Sequence, residues 1–178
     1  MRISDGVFLS VCLAGAPGAV AGYRARKNTP PIDLRALGTL PVSDYWEPIA
    51  PSDERPVILE PNEFYIFASR ELVRLPPGVC AEMVPFDAGS GELRTHYAGF
   101  FDSGFGYAEG LSPGQTAAAV VLEVRSHDVP FVLEDGHPLF RLLFFRNASP
   151  PDRLYGAGLQ SNYQAQRLKL GKQFAKPA

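Results

Sequence analysis

Thr95-His96-Tyr97-Ala98-Gly99-Phe100-Phe101-Asp102-Ser103-Gly104-Phe105-Gly106 is an aromatic run that delivers one acid into a glycine turn. After a short insert, Val120-Val121-Leu122-Glu123-Val124 places a lone glutamate in an apolar strand. Strands of this composition bury most of their side chains, so a carboxylate within one is costly without a purpose or a partner. Outward from this stretch, short strand-like runs recur at even spacing. They are Val57–Leu59, Phe64–Ser69, Val79–Val84, His96–Phe101, Ala117–Val124, Phe131–Leu133 and Leu139–Phe145. Turn signals such as Glu60-Pro61-Asn62-Glu63 and Pro76-Pro77-Gly78 separate them. The pattern predicts an all-β sandwich, barrel or jelly roll. Helical signal is confined to Glu71–Arg74, at most one turn.

At 178 residues the chain suits one domain with a full core. Its 17 glycines and 17 prolines are spread as punctuation, as a turn-rich β protein requires. Three stretches are expected: an N-terminal wrap over 1–56 anchored by Tyr45 and Trp46, a β core over 57–149, and a C-terminal lid or tail over 150–178. A formal charge of −2 gives no case for nucleic-acid or membrane binding. No apolar run approaches membrane-spanning length. Val7–Ala14, with Ala19-Val20-Ala21 behind it, has some features of a leader peptide. Asp5 close after Arg2, and Ser10 inside the run, read better as a strand. Cys12 and Cys80 lack zinc-site spacing and are expected to be buried, inert thiols of a cytoplasmic protein.

Several segments together resemble the dCTP deaminase and dUTPase superfamily. The core stretch is similar to that superfamily's "A-x-x-I-D-P-G-[FW]-x-G" followed by "L-E-[FL]". Leu59–Ser69 is similar to "L-x-P-G-E-F-x-L-A-x-T", Val73–Gly78 to "V-x-L-P-x-D", and Ser161–Gln166 to "K-Y-Q-G-Q". Their shared order over roughly residues 57–170 is far more specific than any one motif. The second half of the long, duplicated bacterial dCTP deaminases is most alike, with phrases such as "AEMVPFD" and "HYAGFFD-x-GFG".

The resemblance implies a distorted jelly roll, or β-clip, of the dUTPase-like type. It further implies hydrolytic deamination of dCTP to dUTP and ammonia without a catalytic metal, magnesium travelling with the triphosphate. Glu123 would be the general base and Asp102 would orient sugar or water. Ala98 and Gly99 would line the base through their backbones, while Tyr163 and Gln166 would close over the nucleotide. From the residues alone, spacing favours an ion pair of Glu123 with Arg125 or Arg94, and Asp102 reads as a turn cap.

One departure stands out. Where the family has an "R-S-S-x-x-R" phosphate loop, this chain has Pro85–Arg94, which carries Asp87 and Glu92. Only Ser90 and Arg94 there suit phosphate. A homo-oligomer or a partner half-domain is therefore expected to complete the site. The alternatives are a non-catalytic structural or regulatory half, or a dUTP diphosphatase.

Overall fold

The structure, a computed structural model, describes residues 6–15, 19–52, 54–85, 93–95, 99–108, 116–156 and 168–175. In chain order the strands begin with β1 (Val7–Ser10) and β2 (Gly22–Ala25). A single-turn helix, α1 (Val42–Tyr45), leads into β3 (Trp46–Ile49), β4 (Val57–Leu59), β5 (Phe64–Val73) and β6 (Val79–Pro85). Then come β7 (Leu93–Thr95), β8 (Phe100–Phe101), β9 (Ala118–Ser126), β10 (Phe131–Leu133) and β11 (Pro138–Arg146).

These build a four-stranded sheet in the order β1-β11-β6-β8, a five-stranded sheet in the order β3-β2-β5-β9-β7 and a two-stranded β10-β4 ribbon. The strand pairs are antiparallel.

Period-2 alternation decides which face each sheet buries. In β9, Val120, Leu122 and Val124 are fully buried in the main core, and the residues between them leave the opposite face. β5 does the same with Tyr65 and Phe67 inside and Phe64 and Ile66 outside. The pairing Phe67↔Leu122 and Ile66↔Glu123 keeps the two patterns in phase. Leu9, Ala81, Phe140 and Leu142 of the four-stranded sheet pack against this inner face, and Leu59 and Leu133 of the ribbon join the same cluster. Each large apolar side chain enclosed this way contributes roughly 1.5–3 kcal/mol.

A second cluster forms on the outer face of the five-stranded sheet from Tyr23, Tyr45, Trp46, Ile66, Leu170 and Phe174. Phe174 meets Tyr45 and Trp46 edge-on, with ring centres 5.5 and 6.0 Å away. Backbone bonds pin this C-terminal segment. The Lys172 carbonyl accepts from Gly38 N–H at 2.9 Å, and the Leu40 carbonyl accepts from Ala175 N–H at 2.8 Å.

Three expectations need correction. The strand read within Val7–Ala14 is present as β1, with Leu9, Val11 and Leu13 in the main core, but the stretch after it does not only wrap the outside: β2 and β3 are members of the five-stranded sheet. The Glu71–Arg74 turn is not helical, because β5 runs on through Val73 opposite Ala118. Glu71 there accepts hydrogen bonds from both Ser10 N–H and Ser10 Oγ at 2.7 Å, which holds β1 to β5. Cys12 and Cys80 are free but half-buried, less enclosed than expected. Of the strand expected over His96–Phe101, β8 is the part within the described residues. No helix among the described residues is long and apolar enough to cross a membrane.

Candidate active site

The outer face of β5 and β9 is the floor of a cavity of about 510 Å³. Phe64, Ile66, Ala119, Val121 and Glu123 rise from that floor. Phe100, Phe101 and Asp102 form one wall, and Trp46 with Phe174 another. Lys169 and Gln173 enter from the docked C-terminal segment. The cavity is thus apolar and aromatic over most of its surface, with a few polar groups, as small-molecule sites usually are.

Glu123 is half-buried and sits opposite Ile66. Its position follows directly from strand alternation: the buried neighbours Leu122 and Val124 turn it toward the cavity. The ion pair with Arg125 that spacing alone would favour does not form. Among the described residues no side chain pairs with or hydrogen-bonds to the Glu123 carboxylate. Arg125 lies over the Phe64 ring instead, 5.7 Å from its centre.

Asp102 is exposed at the cavity wall, and the turn that follows it is heavily fastened. The Asp102 carbonyl accepts from Phe105 N–H at 3.1 Å, and Leu75 exchanges bonds with Gly104 and Phe105 at 3.0 and 2.8 Å. Ser103 donates its hydroxyl to the Val79 carbonyl at 2.7 Å and accepts from Asn147 Nδ2 at 2.8 Å. The side-chain fastening is therefore done by Ser103. No hydrogen bond to the Asp102 carboxylate occurs among the described residues, so its expected role as a turn cap is not the one it plays. Gly104 and Gly106, at φ +102° and +62°, supply the left-handed backbone this turn needs.

Gly99 is small for a packing reason. A Cβ there would collide with Met83, whose N–H donates to the Gly99 carbonyl at 2.6 Å. Arg94 lies on β7, opposite Arg125. Ala98, Ser90, Tyr163 and Gln166 lie outside the described residues.

Two contributors escaped sequence reasoning. Trp46 is expected only as an anchor, yet it borders the cavity, and its buried Nε1 has no hydrogen-bond partner among the described residues. Lys169 belongs to a basic tail whose placement no local pattern reveals; it is the one cation among the described lining residues. The arrangement offers a carboxylate without a partner among the described residues, beside apolar walls, with a second carboxylate and a cation lining the same cavity. Such a carboxylate is placed to take and return a proton.

Comparison with known proteins points the same way. The family model described as "2'-deoxycytidine 5'-triphosphate deaminase (DCD), C-terminal domain" matches residues 1–174. A "dCTP deaminase, dUMP-forming" of Nocardioides sp. is 33% identical over 129 residues, covering 70% of this chain and 62% of that protein. The protein of the same description from Clavibacter michiganensis is 37% identical over 116 residues, 63% of this chain and 52% of its own. A solved structure of 2'-deoxycytidine 5'-triphosphate deaminase from Agrobacterium tumefaciens superposes with a TM-score of 0.72 at 43% identity. That match covers 83% of this chain and 43% of the other. The chain therefore spans only about half the length of the relatives it matches. At this identity the likeness extends to the fold, which is all-β and dUTPase-like. With nearly its whole length matched, the chain belongs to the family of dCTP deaminase C-terminal domains.

Proposed function

We propose that this domain carries the catalytic base of a dCTP deaminase. The observation that carries the reading is Glu123: a half-buried carboxylate, without an ion pair among the described residues, on the floor of a largely apolar cavity. Glu123 takes a proton from water as the oxygen attacks C4 of the cytosine ring. The C4–O bond forms, the proton passes to the departing amino group, and the C4–N bond breaks to release ammonia. Asp102, fixed by the Ser103 turn, orients the sugar or the water. Apolar walls keep bulk water from competing for the Glu123 carboxylate. Gly99, Ala98, Tyr163 and Gln166 complete the base and lid contacts in this reading. Magnesium enters as part of the triphosphate substrate, and a further copy or a partner half-domain contributes the remainder of the site. The expected setting is the cytoplasm.

A second reading concerns the product. The curated relatives are named dUMP-forming, which favours loss of diphosphate after deamination. Chromatography of the reaction decides between dUTP and dUMP with diphosphate.

The test is ammonia release from dCTP with magnesium by the purified protein and by Glu123→Gln. Loss of at least about 100-fold in kcat, with nucleotide still bound, is expected of a missing general base. Equal turnover by the two proteins would overturn the assignment.

A further inference from the structure

Arg125 lies two residues beyond Glu123 on β9, so the two leave the same face of the sheet about 6.7 Å apart. A guanidinium this close to a carboxylate ordinarily pairs with it. Here, among the described residues, Arg125 joins no ion pair, and its buried Nε has no hydrogen-bond partner. Its one recorded contact of charge is with the face of Phe64, a residue of the cavity floor. Glu63, the residue before β5, is engaged by Lys27.

The register adds a second cation. Arg125 stands opposite Phe64 on one side and Arg94 on the other, so Phe64, Arg125 and Arg94 form one row across three strands beside Glu123. β7 is the outermost strand of this sheet among the described residues. Two arginines directly opposite one another disfavour the pairing, and a buried N–H without a partner adds to the cost. An anion relieves both. The planar donor fork of arginine matches phosphate oxygens particularly well.

We propose that Arg125, on the register row that also carries Arg94, forms an anion subsite at the rim of the cavity that receives the phosphate chain of the nucleotide. The assignment of that anion to a nucleotide rests on the deaminase reading; the subsite itself rests on the arginine row. It answers the question left by segment 85–94, where Asp87 and Glu92 stand and Arg94 is the single arginine. The phosphates are gathered from the strand that carries the base and from its edge neighbour.

The experiment is calorimetric titration of the protein with inorganic tripolyphosphate, dCTP and deoxycytidine, for wild type, Arg125→Gln and Arg125→Lys. Wild type is expected to bind tripolyphosphate. Arg125→Gln should weaken tripolyphosphate and dCTP by about tenfold or more and leave deoxycytidine unchanged, as loss of a charge-assisted bond requires. Arg125→Lys should fall between. The subsite is refuted if wild type does not bind tripolyphosphate, if Arg125→Gln binds it as tightly as wild type, or if deoxycytidine weakens equally. Should Arg125→Gln not fold, Arg94→Gln on the edge strand makes the same comparison. Arginine-dependent tripolyphosphate binding by a protein that does not turn over dCTP would leave the subsite standing and remove the deaminase reading. Turnover of dCTP with an unchanged KM in Arg125→Gln would do the reverse.

Discussion

Replacing Ser103 with alanine removes the fastening beneath Asp102 and leaves the backbone sequence of the turn intact. Ser103 is 5% exposed, and its hydroxyl serves two partners at once, the Val79 carbonyl at 2.7 Å and Asn147 Nδ2 at 2.8 Å. Each bond contributes about 1 kcal/mol net, and alanine leaves both partners without a replacement in an enclosed position. The expected loss is about 2 kcal/mol, or roughly 4–8 °C in Tm for a chain of this size. Urea unfolding followed by circular dichroism measures it: the midpoint should fall at an unchanged m-value. Asn147→Ala removes only one of the two bonds, so a double-mutant cycle should return a coupling of about 1 kcal/mol. A Ser103→Ala loss below about 0.5 kcal/mol, within the range of ordinary surface substitutions, would show that the hydroxyl does not hold the turn.

Further outcomes follow from other positions. Gly106→Ala forces a side chain onto φ +62° and into the Val73 carbonyl; a loss of about 1–3 kcal/mol is expected in the same unfolding assay. Leu122→Ala opens a void at a fully buried position and should cost about 2–5 kcal/mol, again read by urea. Arg24 holds the Glu47 carboxyl below its ordinary value of 4.5 in the folded protein. A depressed folded value adds stability above the unfolded value, and that stability is lost as pH falls through the folded one. Glu47→Gln should therefore flatten the fall in stability below about pH 5, and the two proteins should converge at the acid end; parallel curves would refute the pairing.

The sheets were legible wherever a strand alternates strictly. β9 and β5 announce themselves because one face of each is continuously apolar and packs on the main core. β7 was missed, since Leu93-Arg94-Thr95 offers one apolar residue and takes its strand geometry from pairing with β9. β2 and β3 were hidden by the surrounding prolines and charges, and tertiary pairing overrides those local signals. Glu123 and Asp102 could be named from motif order, and strand alternation then explains why the first faces the cavity. The cavity's far wall could not be named. Trp46 lies more than a hundred residues of chain from Lys169 and Phe174, and their meeting is accompanied by the Leu40–Phe174 bridge, which has no signature along the sequence. The role of Arg125 was likewise concealed, because its partners lie across strands and not along one.

The placement of the Trp46 indole beside the cavity has a practical consequence. It is the chain's single tryptophan, so all intrinsic indole emission comes from one wall of the cavity. An enclosed indole emits toward shorter wavelengths; unfolding exposes it to water and shifts the spectrum to the red. A bound pyrimidine would alter intensity without that red shift. One unlabelled fluorimeter trace can therefore separate filling of the cavity from loss of the fold, and the protein carries its own optical gauge of occupancy.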